Sequence, residues 1–224
     1  MPRFLITAGA TSVAIDNARK ITNLATGTTG HTIAIEAANR GHQVCLLTSN
    51  QYLGTTQKNI ETILFNTFDD LFMLLENETC KNIYDAIIMT AAVSDYSCAG
   101  IFQTPDFNTP IATSGNEKLS GNHQELWLKL KPLPKMIDQF KTIWKFKGTL
   151  VKFKLESNIE EQTLLDLAEQ SRLHSDADLM VANRIEDAAF KAWIGPINSK
   201  YQCVTRDNLP ANLLDAIEQI WEAQ

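Results

Sequence analysis

A stretch of polar and small residues near the N-terminus carries the groups best suited to binding an anion. Residues 19–30 read RKITNLATGTTG and lead directly into residues 32–40, whose amphipathic pattern predicts a helix. Glycines and hydroxyl groups at a helix start leave backbone N–H groups unpaired at the positive end of the helix dipole. Arg19 and Asn23 add directional donors just upstream. This pattern predicts a phosphate-bearing ligand.

Composition restricts the class of protein. The length of 224 residues is enough for one large α/β domain, although two small domains would also fit. A composition of 44% hydrophobic and 21% charged residues is ordinary for a soluble globular protein. The formal net charge of −6 argues against a nucleic-acid polymer as the partner. The first apolar run, residues 4–7, is too short for a signal peptide, and no run is long enough to span a membrane. The four cysteines show no metal-binding spacing, so we expect a cytoplasmic protein with reduced thiols.

Apolar runs alternate with helical periodicities along most of the chain. This order predicts a Rossmann-like, three-layer α/β/α fold with a mostly parallel sheet, built as a single domain over residues 1–224 and closed by a hairpin and a helix. The predicted strands are 4–7, 43–48, 60–65, 83–90, 125–130, 150–155 and 179–182. The predicted helices are 32–40, one around 68–75, 134–144 with Pro134 in the first helical position, 159–173 and 209–221, and the closing hairpin pairs 190–194 with 202–205.

Two segments interrupt the alternation. The connection from Ala8 to about Gly27 is much longer than is usual between a strand and its helix, which is typical of a functional loop. Residues 97–122 are rich in Gly, Pro, Asn, Thr and Ser, and they predict a flap inserted into the core. Ala91 and Ala92 follow a strand, where small residues leave room for a ligand over the sheet edge. Close helix packing is the alternative explanation for these two alanines.

Two common nucleotide-binding classes lack their motifs. Gly9 and Gly27 are too far apart for the G-x-G-x-x-G loop of a dinucleotide-binding protein, and residues 48–50 read TSN where a ribose-binding carboxylate is expected. No tyrosine is followed four residues later by lysine, so the pair used by short-chain reductases is missing. A P-loop is missing as well.

Several segments, taken in order, resemble the phosphopantothenoylcysteine synthetase family, the phosphopantothenate cysteine ligases of coenzyme A biosynthesis. They are ITAGAT at 6–11, IDNARKITN at 15–23, TGTTG at 26–30, AAVSDY at 91–96 and DLMVAN at 178–183. The resemblance covers nearly the whole chain. Because no decarboxylase half precedes Met1, the resemblance implies the free-standing bacterial form.

The resemblance implies a two-step ligation. The carboxylate of 4′-phosphopantothenate attacks the α-phosphorus of CTP, giving an acyl-cytidylate and pyrophosphate, and the amine of L-cysteine then displaces CMP to form an amide. Mg²⁺ is implied as the cofactor and a homodimer with a shared active site as the assembly. Such chemistry requires neutralised phosphate charge and well-positioned reactants.

Two catalytic residues follow from the resemblance. Asn23 matches the asparagine that holds the acyl-phosphate intermediate, although a capping or turn asparagine would look the same. Lys118 matches the lysine that serves the acyl-cytidylate, with a solvated flap lysine as the alternative. Asp95 matches an aspartate near the nucleotide, acting through ribose hydroxyls or a magnesium ion, and a helix cap is its alternative.

The remaining residues implied by the resemblance bind substrate or nucleotide. Arg19 would grip a phosphate or carboxylate unless it forms a salt bridge, and Phe153 lies where the base is received unless it is a core residue. Lys135, at a predicted helix start, would bind triphosphate by charge. The full set is Gly9, Arg19, Thr26, Gly27, Gly30, Ala91, Ala92, Asp95, Pro134, Lys135, Phe153, Lys154, Arg172, His174 and Asn183.

The chain departs from the family pattern at several points. Only Lys118 remains of a K-x-K-K run, and Lys152 replaces the glycine before the aromatic residue. Lysines expected on the helix before the DLMVAN strand are missing; Ser171 and Ser175 lie nearby, which leaves Arg172 and His174 to supply charge. A non-catalytic nucleotide-binding or interaction protein on the same scaffold therefore stands as the alternative, and an NAD(P)-dependent oxidoreductase as a weaker one.

Overall fold

The computed structural model describes residues 1–53, 57–112 and 118–223. Its strands are β1 (Arg3–Ala8), β2 (Ser12–Ala14), β3 (Lys20–Thr22), β4 (Gln43–Thr48), β5 (Ile60–Leu64), β6 (Ala86–Met89), β7 (Tyr96–Phe102), β8 (Pro110–Ala112), β9 (Trp127–Pro132), β10 (Thr149–Glu156), β11 (Leu179–Arg184), β12 (Lys191–Ile197) and β13 (Lys200–Thr205). Its helices are α1 (Thr28–Asn39), α2 (Phe68–Cys80), α3 (Gln139–Thr142), α4 (Glu161–His174) and α5 (Leu209–Glu222), with short 3₁₀ turns at Gln51–Leu53 and Met136–Asp138.

An eight-stranded sheet in the order β13-β12-β11-β10-β6-β1-β4-β5 forms the centre of the fold. Strands β5, β4, β1, β6, β10 and β11 run parallel, while β12 and β13 are antiparallel and form the closing hairpin. The Rossmann-like, mostly parallel α/β fold expected from the sequence is therefore confirmed.

Apolar side chains on both faces of the sheet build the core, which explains why its parallel strands read as continuous apolar runs. Within β1, Phe4 and Ile6 pack with α1 and α5 on one face, and Leu5 packs with α2 and α3 on the other. Helix α4 covers β11 and β12 through Leu164 and Ala168. Among the described residues, no helix is long and apolar enough to cross a membrane.

The long connection after β1 is not a plain loop, contrary to the sequence prediction. It contains a short antiparallel hairpin, β2 with β3, in which Ser12 pairs with Thr22. Three-residue strands carry too little alternation to be recognised, and Lys20 to Thr22 are exposed. The connection is therefore a small built element that projects over the sheet edge.

The predicted flap, residues 97–122, is too short at its C-terminal end. Strands β8, β7 and β9 form a separate three-stranded sheet, which we call the flap sheet. The strand predicted at 125–130 was placed in the core alternation, but β9 pairs with β7, from Tyr96 with Pro132 to Phe102 with Trp127. Local alternation identifies a strand without identifying its partner, because pairing depends on distant residues.

Two helix starts also differ from the prediction. Helix α1 begins at Thr28 rather than Thr32, with Gly27 as its N-cap in the left-handed region at φ 87°. The helix predicted over 134–144 is reduced to a 3₁₀ turn and the short α3, and Lys135 is the N-cap of that turn, so Pro134 is not in a first helical position. The polar stretch 28–30 therefore belongs to the helix itself.

Close packing brings the first turn of α1 against the ends of β1 and β6. A Cβ atom on Gly30 would lie 2.5 Å from Thr90 Oγ1, 2.7 Å from the Thr7 carbonyl oxygen and 2.8 Å from Ala8 Cβ. Such distances are shorter than a carbon atom tolerates. Gly30 is therefore required by packing, whatever ligand its N–H group also serves.

The flap is attached to the β2–β3 hairpin through one buried carboxylate. The Asp16 side chain is 1% exposed and accepts hydrogen bonds from the backbone N–H groups of Ala18 (2.8 Å), Arg19 (2.6 Å) and Leu119 (3.1 Å). Arg19 pairs with Asp16 at 2.7 Å and donates to the Leu119 carbonyl oxygen at 2.8 Å. Burial alone would raise the pKa of Asp16, but the hydrogen bonds from Arg19, Ala18 and Leu119 hold it well below its usual range.

We expect Gly30→Ala to lower the free energy of unfolding by about 1–3 kcal/mol, because the added methyl group overpacks the contact between α1 and the sheet. Intrinsic helix propensity favours alanine, so a loss isolates the packing cost. Urea denaturation measures the difference. Gly121→Ala is the control, since its Cβ would meet nothing within 4 Å. Equal stability of the two variants would contradict this account of Gly30.

We expect Asp16→Asn to lower the thermal midpoint at neutral pH and to speed proteolysis of the flap, because the amide cannot replace a carboxylate that accepts four donors. A lowered pKa stabilises the fold above the ordinary carboxyl pKa of about 3.9, and this contribution is lost as the pH falls through the pKa of Asp16. The difference in thermal midpoint between Asp16→Asn and the wild type should thus persist down to about pH 4 and shrink below that pH. Asp207→Asn, at an exposed turn, is the control. If the thermal midpoints of Asp16→Asn and the wild type differed by the same amount at every pH, the role of the Asp16 charge would be contradicted.

Candidate functional site

The strand order reverses between β1 and β6, because the chain runs from β1 outward to β4 and β5 and then returns to β6 on the other side of β1. Open α/β sheets bind ligands at such a switch point, beyond the carboxyl ends of the strands. Gly9 follows β1 and Ala92 follows β6, and the Ala92 N–H donates to the Gly9 carbonyl oxygen at 2.8 Å. Gly9 and the Ala91–Ala92 pair are thus joined at the switch point.

The start of α1 faces this same edge and leaves its first turn open. A Cβ on Gly27 would lie 3.0 Å from the Gly9 nitrogen, so the two glycines allow the loops to touch. The N-cap residue Gly27 has no side chain to cap α1, and Thr26 Oγ1 accepts a long hydrogen bond of 3.5 Å from the Thr28 N–H and lies 2.9 Å from Thr28 Oγ1. Free N–H groups, hydroxyls and the helix dipole together make this an anion-binding position.

Arg206 places a cation beside the first turn of α1, and it is not among the residues predicted from the sequence. It lies in the turn between β13 and α5, and its guanidinium donates to the Thr29 hydroxyl in the first turn of α1. Burial lowers its pKa. No local motif marks this arginine, because the contact joins residues from opposite ends of the chain.

Asn23 and Asp95 line one cavity of about 210 Å³, together with Val13 and Ser94. The Asn23 side-chain amide donates to the Ala92 carbonyl oxygen at 3.3 Å, so the β2–β3 hairpin is tied to the loop after β6. Asn23 does not cap α1, and Asp95 is not the N-cap residue of any described helix. The capping alternatives for both residues are therefore wrong.

A second cavity of about 170 Å³ lies on the other side of Asp95, and we call it the Lys152 cavity. Its walls include Met89, Met136 and Phe153, with Lys152 among them. Asp95 and Lys135, a pair of exposed side chains in contact with each other, also line it. Apolar walls with a few polar groups are typical of a site for a small organic ligand.

The Lys152 side chain is held inside the fold rather than in solvent. Its ammonium donates to the Ser171 carbonyl oxygen at 3.0 Å and to Ser175 Oγ at 2.6 Å, and the Ser175 hydroxyl donates to Asp138 Oδ1 at 2.7 Å. Burial lowers the pKa of Lys152; Asp138 opposes this effect, and the charges of Lys154 and Lys135 add to it. Lys152 departs from the family's glycine at this position and is not among the site residues predicted from the sequence.

Several predicted binding residues have protein partners in the structure. Arg19 forms the salt bridge with Asp16 that was its alternative, and Arg172 pairs with Glu169 at 2.6 Å and donates to the Ala177 carbonyl oxygen at 2.8 Å. Lys154 lies 2.7 Å from Glu156. These cations are compensated locally, and their binding roles stay predictions.

Other predicted residues lie nearer solvent or deeper in the sheet. Lys118 is exposed, directly before the Leu119 that anchors the flap. The His174 side chain is 75% exposed and lies 3.5 Å from Asp138. Asn183 is buried on β11, and its Oδ1 has no hydrogen-bond partner among the described residues. Phe153 is half-buried against the core, so it serves as a packing residue as well as a cavity wall.

A larger cavity of about 400 Å³ lies at the opposite edge of the sheet. Asp85, Lys147 and Thr149 line it, at the amino ends of β6 and β10. This edge is remote from the switch point and from the open turn of α1. The carboxyl edge is therefore the stronger candidate site. Within the described ranges, no group of three His, Cys, Asp or Glu side chains is arranged to hold a metal ion.

Comparisons with known proteins identify relatives of this chain. The coenzyme A biosynthesis bifunctional protein CoaBC of Thermococcus kodakarensis is 32% identical over 185 residues, 82% of this chain and 41% of that protein. CoaBC of Escherichia coli is 29% identical over 185 residues, 81% of this chain and 40% of that protein. The chain thus spans about two fifths of the length of these relatives.

Solved structures show the same fold. The DNA/pantothenate metabolism flavoprotein from Streptococcus pneumoniae matches with a TM-score of 0.87 and 28% identity, covering 98% of this chain and all of that one. The C-terminal domain of a CoaBC protein, at 20% identity, shares the fold with a TM-score of 0.73. The model of the DNA/pantothenate metabolism flavoprotein C-terminal domain matches residues 2–198. The chain therefore belongs to this family of C-terminal domains.

Proposed function

We propose that this chain is a CTP-dependent ligase that joins 4′-phosphopantothenate to L-cysteine in coenzyme A biosynthesis, in the cytoplasm. Its membership of the family and the CoaBC relatives support a role in this pathway. One observation carries the proposal furthest. The switch point brings the start of α1, the Asn23 amide and the Asp95 carboxylate to one edge, where a nucleotide and a second anion would meet.

The first step needs an anion to approach another anion. A carboxylate oxygen of 4′-phosphopantothenate attacks the α-phosphorus, and the bond to pyrophosphate breaks. The free N–H groups of α1, the Thr26 hydroxyl and Arg206 would offset phosphate charge. Asn23 would donate to an oxygen of the acyl-cytidylate, since a neutral amide can shift from the Ala92 carbonyl oxygen to a bound intermediate.

The second step needs positioning more than a strong base. The cysteine amine attacks the acyl carbon, the bond to CMP breaks, and a proton is released to solvent. In this proposal Lys118 would serve the acyl-cytidylate from the flap, where it is anchored through Leu119 to Asp16 and Arg19. Its ammonium would offset the charge on the departing nucleotide.

Mg²⁺ is part of the proposal as the partner of the nucleotide phosphates. This ion is commonly held by one or two carboxylates together with substrate phosphates, so a dedicated cluster of protein ligands is not required. Asp95 is the candidate ligand, because its carboxylate is exposed at the cavity and, among the described residues, its side chain is paired only with the exposed Lys135. When bound, the ion would neutralise triphosphate charge.

A homodimer completes the proposal. The flap sheet projects from the core and carries an exposed Trp127 and Tyr96, which are the kinds of side chain that protein interfaces use. A second subunit would then contribute its flap to the neighbouring site. Size-exclusion chromatography with light scattering measures this state directly.

We expect pyrophosphate release to require CTP, 4′-phosphopantothenate and Mg²⁺ together, and amide product to appear only after L-cysteine is added. A coupled pyrophosphate assay and mass spectrometry of the product measure the two steps. Binding of CTP without turnover would refute the ligase and favour a non-catalytic nucleotide-binding protein. Tight binding of NADH would instead favour an oxidoreductase.

We expect Lys118→Ala to reduce the turnover number roughly 100-fold, which is the usual cost of losing one group that stabilises developing charge. Thermal stability should not change, because Lys118 is exposed. Lys129→Ala is the control, since Lys129 is an exposed lysine on β9 of the flap sheet. Normal turnover in Lys118→Ala would show that Lys118 is only a solvated lysine.

A further inference from the structure

Residues 48–50, the TSN segment at the end of β4, carry no carboxylate but contact both loops of the switch point. Ser49 Oγ accepts a hydrogen bond of 2.8 Å from the Ala10 N–H, in the loop after β1. The Asn50 side-chain amide donates to the Thr26 carbonyl oxygen at 3.0 Å, in the loop that enters α1. The segment therefore holds both loops from the side of β4.

The Asn50 side chain is itself fixed by its surroundings. Its Oδ1 accepts from the Tyr52 N–H at 3.0 Å, which is the turn that asparagine commonly forms with the residue two positions on. The Asn50 N–H donates to Thr48 Oγ1 at 3.1 Å, and its carbonyl oxygen accepts from the Leu53 N–H at 3.1 Å. Because the side-chain oxygen and the backbone are both engaged, the amide N–H groups are presented to Thr26.

Holding the Thr26 carbonyl oxygen fixes the direction of the next N–H group along the chain. The C=O and N–H of a planar trans peptide point in opposite directions, so the Gly27 N–H is turned away from Asn50. Gly27 is buried in the left-handed region and leads directly into α1, a backbone arrangement that gathers successive N–H groups around an anion. No described residue accepts a hydrogen bond from the Gly27 N–H. Because a buried N–H group needs a partner, this donor is available to a ligand at the start of α1.

We propose that Asn50 is a positioning residue for the phosphate bound at the start of α1, and that it acts by directing the Gly27 N–H toward this phosphate through the Thr26 carbonyl oxygen. This inference rests on the proposed function, which brings phosphate groups to this position. The hydrogen bond from Asn50 also polarises the peptide between Thr26 and Gly27, which makes the Gly27 N–H a stronger donor. An amide suits this task because it donates and accepts at once, and it adds no negative charge beside a phosphate.

The test follows the Gly27 N–H signal by NMR while inorganic phosphate is titrated into the wild type and Asn50→Ser. Labelling only glycine with ¹⁵N restricts the spectrum to the ten glycines of the chain. Serine keeps a hydroxyl that can accept from the Tyr52 N–H, but its side chain is too short to reach Thr26. We expect phosphate to shift the Gly27 signal in the wild type, and the dissociation constant for phosphate to rise roughly 10-fold in Asn50→Ser, the worth of one hydrogen bond to a charged group.

Asn212→Ser is the matched control. The Asn212 side-chain amide also donates to a backbone carbonyl oxygen, that of Asn208 at 2.8 Å, but it does so within α5. The control therefore loses the same kind of hydrogen bond and should bind phosphate like the wild type. If Asn50→Ser does not fold, Asn50→Thr replaces it, because threonine offers the same hydroxyl to the turn.

The phosphate dissociation constant separates positioning from a purely structural role. A lower thermal midpoint in Asn50→Ser with an unchanged dissociation constant would mean that Asn50 only stabilises the loop, and it would overturn the proposal. A wild-type Gly27 signal that phosphate does not shift would overturn it as well. The titration requires no turnover, so its outcome is independent of the ligase assay. A phosphate response that depends on Asn50, in a protein that releases no pyrophosphate, would refute the ligase and leave the role of Asn50 intact. Ligase turnover together with wild-type phosphate binding in Asn50→Ser would refute the role of Asn50 alone.

Discussion

The close approach of α1 to the ends of β1 and β6 is the constraint on which the candidate site depends. Gly30 removes the side chain that would separate the helix from Thr7, Ala8 and Thr90, and Gly27 and Gly9 let two loops touch backbone to backbone. Because packing is this tight, the free N–H groups of the first turn are fixed at the switch point rather than directed into solvent. Each glycine here is explained by contact, and the anion-binding position is a consequence of the same contact.

Charged and polar side chains then attach the β2–β3 hairpin and the flap to this edge of the sheet. Asp16 draws the β2–β3 hairpin and the segment at Leu119 together, and Asn23 fastens the hairpin to Ala92. Burying a carboxylate is costly unless donors surround it, and Asp16 has four. Arg19, which the sequence predicts as a substrate-binding residue, takes part in this attachment through Asp16 and the Leu119 carbonyl oxygen, whatever it also binds.

The residues around Lys152 explain how the fold accommodates a lysine where the family pattern has a glycine. A lysine in place of a glycine on a buried strand would be destabilising if its ammonium lacked acceptors. Here Ser171 and Ser175, at positions near which the family resemblance leads one to expect lysines, supply those acceptors. Positive charge beside the Lys152 cavity thus comes from Lys152 on β10 and from Lys135 rather than from α4, where Arg172 pairs with Glu169.

The sequence alone determined the parallel sheet, since residues buried on both faces must read as apolar runs; β4 lies at Gln43–Thr48, the range predicted. It also determined the family and the stretch where an anion would bind, because motif order and a glycine-rich helix start are local properties. Tertiary structure alone decided that β9 joins the flap sheet, that Lys152 reaches Ser175 and that Arg206 reaches Thr29. Those contacts join residues distant in the chain, and local periodicity carries no information about which distant groups a side chain meets.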